Sequence, residues 1–161
     1  MAKDADKTRR KTWAPTIHNR KARHDYFVVE AFEAGIELRG NEVKSVRLGE
    51  ATLDGSFARV RDGELFLFGC HIKPYEFGDP RLAPDPNRPR KLLVHRRQIN
   101  ALAGSLTQQG HTVVPLQIYF KNGRVKVEVA LVRGKGVHDK RQTLRKKEHQ
   151  REIDQAMRRR R

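Results

Sequence analysis

Apolar and polar positions alternate along most of the middle of this chain. Tyr26-Phe27-Val28-Val29-Glu30-Ala31-Phe32 is aromatic and β-branched and predicts a strand. Gly35 is expected to break it, with Ile36-Glu37-Leu38 resuming at period two. Gly40-Asn41 then stops the strand, and Asn41 is placed to cap a short helix carrying Val43 and Val46 that Gly49 ends. Two hairpins follow. Phe57 to Arg61 meets Leu65 to Phe68 across Asp62-Gly63, and Val113 to Phe120 meets Val125 to Val132 across Asn122-Gly123. Both dipeptides suit the positive φ angles of a tight turn. In the last strand Val125, Val127, Val129 and Leu131 share one face, and Arg124, Lys126 and Glu128 the other. Pro115, inside the preceding strand, calls for an edge or a bulge.

Pro74 to Arg90 holds five prolines in 17 residues and reads as a long exposed loop ending in a cationic stretch, Arg88 to Lys91. A helix from about His95 to Leu106 would put Ile99, Leu102 and Leu106 on one face. The fold class expected is mainly β: a small antiparallel barrel of the oligonucleotide-binding-like type with two or three helices and a basic C-terminal tail. The domains expected are a mobile basic arm over 1–17, a barrel over 18–134, and a tail over 135–161. That tail is rich in helix formers but poor in apolar positions. It is expected to be disordered alone and helical against an anionic partner, reaching about 36 Å over 138–161 at ~1.5 Å per residue.

Charge sharpens this picture. The 161 residues carry 35 Lys+Arg against 19 Asp+Glu, a net +16. Residues 1–24 are net +6 and 135–161 net +7, so the middle is only +3. A near-neutral body with two cationic arms suits a polyanion, nucleic acid first and an anionic membrane second. The tail lacks the aromatic and leucine face of a membrane-surface helix. No run of ~18 apolar residues predicts a spanning helix. The first 23 residues contain no apolar segment of the secretory type. The single cysteine, Cys70, excludes a disulfide framework and fits a reducing, cytoplasmic location.

Candidate chemistry is sparse. The seven histidines show no metal-ligand spacing, and Gly134-Lys135-Gly136 lacks the Ser or Thr of a phosphate loop. Cys70 closes an apolar strand and reads as core. Asp79 and Asp85 sit in the Pro-rich loop, which is poorly suited to hold an acid and base rigidly. His138-Asp139 could be an oriented base, but neighbours on a helix diverge by ~100°. A flat ring beside Lys140-Arg141 also suits RNA, and a solvated histidine stays open beside it. Asn19 to Tyr26 has the composition of a phosphate-and-base contact surface, or of a solvated basic arm. Glu33 could accept from base or 2′-hydroxyl donors, or serve as a turn acid.

Separated blocks of the chain resemble the family of SsrA-binding protein, or small protein B, the partner of transfer-messenger RNA. They are Asn19-Arg20-Lys21-Ala22-Arg23-His24-Asp25-Tyr26-Phe27, Phe32-Glu33-Ala34-Gly35-Ile36 through Gly40, Glu42-Val43-Lys44-Ser45-Val46-Arg47, Asp62-Gly63-Glu64, Asp85-Pro86 with Arg90-Lys91-Leu92-Leu93, Tyr119-Phe120-Lys121-Asn122, and His138-Asp139-Lys140-Arg141. They keep family order over about residues 18–145.

The resemblance implies an RNA-binding protein and not an enzyme, with no cofactor, metal or membrane partner. It implies an oligonucleotide-binding-like barrel that binds the transfer-RNA-like domain of transfer-messenger RNA and stands in for the missing anticodon stem. The tail would enter the empty message channel of a stalled ribosome and fold there. The outcome would be trans-translation, in which the ribosome is released and its peptide tagged. By motif, Asn19, Glu33, Leu93 and Lys126 match the RNA-binding face. Lys21, Arg23, Lys44 and Lys91 join them on charge grounds. His138, Asp139, Lys140 and Arg141 match the tail root that works at the decoding centre. Gly136 stands where many relatives carry a second lysine, which removes a cation and adds flexibility. The other reading is a general RNA-binding or ribosome-associated barrel without one specified RNA.

Overall fold

The computed structural model describes residues 14–159. The expected N-terminal arm falls for the most part outside them. In chain order the elements are β1 (Ile17–His18), α1 (Arg20–Asp25), β2 (Tyr26–Ile36), α2 (Gly40–Arg47), β3 (Ala51–Thr52), β4 (Phe57–Arg61), β5 (Glu64–Phe68), β6 (His71–Ile72), β7 (Arg90–Leu93), α3 (Arg96–Leu106), β8 (His111–Lys121), β9 (Arg124–Gly134) and α4 (Val137–Arg159). A single 3₁₀ turn spans Pro80–Leu82.

All pairings are antiparallel. The order β8-β4-β5-β7-β2-β9 returns to β8 through a second β8–β9 pairing, so six strands close into a barrel. Closure on the β4 side rests on one ladder position, Ala58 opposite Val113. β1 extends along β8, and β3 pairs with β6 in a separate ribbon. Both tight turns form as expected. Asp62, Gly63, Asn122 and Gly123 have φ of 53°, 73°, 51° and 76°, the left-handed pairs of a type I′ turn.

Two apolar clusters result. Inside the barrel lie Ala34, Leu65, Leu67, Leu92, Val113, Ile118, Val127, Val129 and Leu131, closed off by Leu102 of α3 and Val46 of α2. Fully burying one such side chain contributes roughly 1.5–3 kcal/mol. The second cluster is outside: Ala22 of α1 packs on Val114, Leu116, Ala130 and Val132. A bulge between Pro115 and Gln117 makes this possible. Five residues apart, Val113 and Ile118 would face opposite sides of a regular strand. The extra residue restores both to the interior, and Pro115 sits where the ladder is interrupted.

Three expectations are corrected, and one helix is found that the sequence reading did not foresee. β2 runs through Gly35 without a break, with its irregularity earlier, between Val28 and Glu30. Residues 20–25 form a helix, because the Asn19 side chain caps it by accepting from the Ala22 amide at 3.1 Å. α2 starts one residue before Asn41, with the Arg39 amide donating to Glu42 Oε2 at 2.7 Å. Finally, Arg90 opens β7 and is wholly buried. Its guanidinium donates to Glu42 and to the carbonyls of Cys70, Arg88 and Pro86, while Arg88 also grips Glu42. Arg88 and Arg90 therefore fasten the Pro-rich loop to α2 instead of offering a cationic surface, and of the cations in this stretch only Lys91 projects outward. Burial opposes ionisation of Glu42, but bonds from Arg88, the Arg39 amide and Arg90 hold its carboxyl below the ordinary 4.5.

Candidate nucleic-acid interface

The hairpin register assembles one outward face. Leu93 of β7 stands opposite Gly35 of β2, Gly35 opposite Lys126 of β9, and Lys126 opposite Tyr119 of β8. Directly paired residues project to the same side of a sheet, so these four form a row across the barrel wall. The row below it contains Glu33, Glu128 and Gln117. Because Gly35 has no side chain, a hollow of about 340 Å³ opens between Leu93 and Lys126, floored by Ile36 and flanked by Val43 of α2. Leu93 is half exposed over it.

Glu33 organises the charges. Its Oε2 accepts from the Tyr119 hydroxyl at 2.6 Å and from Lys121 Nζ at 2.9 Å, and Lys126 Nζ stands 3.8 Å from Oε1. The Lys121 bond, then the Tyr119 bond, lowers the Glu33 pKa below 4.5. Burial, then the bond to Glu33, pushes the Tyr119 phenol up to about 12. Two carboxylates directly opposite would repel. Lys121 and Lys126 offset the charge of Glu33, and Arg23 Nη2 approaches Glu128 at 4.0 Å. Lys126 lies beyond hydrogen-bond reach of Glu33 and is held near it by charge alone.

The other expected residues fall around this face. Lys91 projects outward on β7 and pairs with Glu64. Arg23 borders the face through Glu128, whereas Lys21 turns to Asp54 at 3.3 Å. Lys44 is exposed on α2, 5.1 Å from the ring centre of Tyr75. Asn19 is not on the surface. It is 3% exposed, and its amide donates to the carbonyls of Leu53 and Pro115 at 3.1 and 3.0 Å. These bonds, with that from the Ala22 amide to its side-chain oxygen, hold α1 on the barrel. Cys70 is buried, which pushes its thiol up to about 11. Among the described residues no His, Cys, Asp or Glu group could hold a metal ion. No described helix is long and apolar enough to cross a membrane.

Tyr119 and Lys121 stand in a family-like block but were not among the site residues expected from the sequence. The Asn122-Gly123 turn contained the signal, since a two-residue turn sets Tyr119 opposite Lys126.

The tail root is held on the barrel beside α1. The Lys135 amide donates to the Asp25 carbonyl at 2.9 Å, and Lys135 Nζ donates to the Arg23 carbonyl at 3.2 Å and stands 4.9 Å from the Phe27 ring centre. Residues 138–141 lie in the first turns of α4, a 23-residue helix of about 35 Å. Asp139 and Arg141 are exposed. Leu144 and Met157 are exposed as well, so α4 presents little apolar surface to the barrel core.

A closed antiparallel barrel with a cation-bearing outer face and a long basic helix defines a class, the basic barrels of oligonucleotide-binding-like type. The chain belongs to the SmpB protein family, whose model matches residues 16–159. It is 54% identical over 143 residues to the SsrA-binding protein of Geobacter metallireducens, covering 89% of this chain and 93% of that one. It is 51% identical over 152 residues to the SsrA-binding protein of Chloroflexus aurantiacus, covering 94% and 95%. Among solved structures it is similar to a chain in the work described as "tmRNA-SmpB: a journey to the center of the bacterial ribosome". The TM-score is 0.67 at 48% identity, over 82% of this chain and 96% of that one.

Proposed function

We propose that this chain binds transfer-messenger RNA and serves with it in trans-translation on stalled ribosomes. One observation carries the reading: the family match runs unbroken through the barrel and the basic helix, residues 16–159. Both parts that the mechanism needs are therefore present in family order.

Within that function we assign the transfer-RNA-like domain to the face around Glu33. Lys126 and Lys121 neutralise phosphates, while Leu93 and the hollow at Gly35 receive a sugar or base edge. Glu33 holds the cations in place before binding, which lowers the ordering cost of the complex. The basic helix goes to the empty message channel, with His138, Asp139, Lys140 and Arg141 at the decoding centre. Its low apolar content suits a segment disordered alone that orders in an anionic channel. The protein works in the cytoplasm and without catalysis of its own.

The test is peptide tagging on ribosomes stalled at the end of a truncated message. His138→Ala leaves transfer-messenger RNA binding intact and impairs tagging. Equal loss of both activities would overturn the division between barrel and tail.

A further inference from the structure

The Pro-rich loop carries a feature that the function above does not use. Phe77 is 82% exposed, while Tyr75 beside it is half-buried. Their rings meet edge to face with centres 5.7 Å apart, and Lys44 of α2 covers Tyr75.

The loop is held in this shape. The Gly78 amide donates to the Tyr75 carbonyl at 3.0 Å, closing a turn around Phe77. A Cβ on Gly78 would come within 3.0 Å of the Asn41 amide, so the turn sits directly on α2. Lys73 pairs with Glu50 at 3.0 Å on one side. The Glu42–Arg88–Arg90 cluster anchors the other. A single exposed phenylalanine is unremarkable on a surface. One fixed on a braced turn, and buttressed by a second ring that an exposed lysine covers, has the form of a stacking platform beside a cation.

α2 joins this platform to the face around Glu33. Val43 flanks the hollow between Leu93 and Lys126, and its neighbour Lys44 covers Tyr75. Arg47, one turn on, lies 5.4 Å from the ring of Phe120, which adjoins Lys121. We infer that an unpaired base of transfer-messenger RNA stacks on Phe77, with the adjoining phosphate on Lys44. The inference rests on the function proposed above. The charge of Lys44 and the continuity through α2 favour RNA over an apolar protein partner.

The experiment is a gel-shift titration of the full chain and its Phe77 variants against transfer-messenger RNA over a series of salt concentrations. Phe77 touches no core residue, so its substitution leaves the fold in place. Phe77→Ala is expected to weaken binding roughly 5- to 150-fold, the range for loss of one stacked base. Phe77→Leu fails equally, because stacking needs a flat ring, and Phe77→Trp keeps or exceeds parent affinity. The salt slope is unchanged by Phe77→Ala and becomes shallower in Lys44→Ala. Parent-like binding by Phe77→Ala would overturn the platform. So would full rescue by Phe77→Leu, which would mark a plain apolar contact without stacking. Failure of the parent chain itself to prefer transfer-messenger RNA would instead remove the underlying function.

Discussion

The Asn19 side chain and the carbonyl of Pro115 meet at 3.0 Å across 96 residues of sequence, tying the N-terminus of α1 to the bulge in β8. The bulge frees two carbonyls from the ladder. Asn19 takes both, its amide side chain donating to Pro115 and its backbone amide to Leu116 at 2.8 Å. The same side chain caps α1 with its oxygen. Removal should cost about 1–3 kcal/mol, a cap plus buried carbonyls left unpaired. Asn19→Ala is expected to lower Tm by that equivalent. Asn19→Asp keeps the cap but sets a buried carboxylate oxygen against the carbonyls of Leu53 and Pro115, so it should be no more stable than Asn19→Ala in thermal melts at pH 7. A parent-like Tm for either would contradict this assignment.

Glu42 and Arg90 form a buried ion pair, 2% and 0% exposed at their side chains. Breaking such a pair from one side costs about 3–5 kcal/mol. Glu42→Gln is expected to lower Tm on the order of 10 °C at pH 7. The sign of the pH effect follows from the lowered pKa of Glu42. Its folded value is below the unfolded 4.5, so its stabilisation is complete above 4.5 and disappears as pH falls through the folded value. An acid titration of stability should be flatter below pH 4.5 in Glu42→Gln than in the parent. Identical slopes would show that the pair does not titrate as proposed.

Much of this was legible in the residues. The Asp62-Gly63 and Asn122-Gly123 turns, the alternation of Val125 to Leu131 and the inward face of α3 depend on local chemistry, so sequence reveals them. β7 was not legible, because Arg90 reads as a surface cation until its partner Glu42, 48 residues away, is known. α1 was hidden for a similar reason: its apolar contact is a single alanine, Ala22, and its cap anchors a distant bulge. Of the site residues, Glu33, Leu93 and Lys126 come together with Lys91 and Arg23 near them. Asn19 is instead buried at the start of α1.

The Tyr119–Glu33 bond has an optical signature. Tyr119 should remain protonated at pH 10.5, with its phenolate appearing near pH 12. In Glu33→Gln that step should move to lower pH, followed by difference absorbance of the phenolate. An unmoved step would separate Tyr119 from Glu33 in solution.

Gly35 leaves the hollow open, and a Cβ there would stand 3.1 Å from the Leu93 Cβ. Gly35→Ala should narrow it while keeping the extended strand, with Leu93 giving way by a few tenths of an ångström. Losing one contact of about 1–1.5 kcal/mol corresponds to roughly tenfold weaker binding of the transfer-RNA-like domain. Unchanged affinity in a titration would place the RNA elsewhere.

The measurement that bears most directly on the whole account is a gel-shift titration of the parent chain with the transfer-RNA-like domain of transfer-messenger RNA. Bulk transfer RNA is the competitor, at near-physiological salt. Tight binding that resists the competitor, and is weakened by Lys126→Ala or Glu33→Ala with the fold preserved, is the predicted result. Binding that bulk transfer RNA removes readily would contradict the account and leave a basic barrel of general RNA affinity.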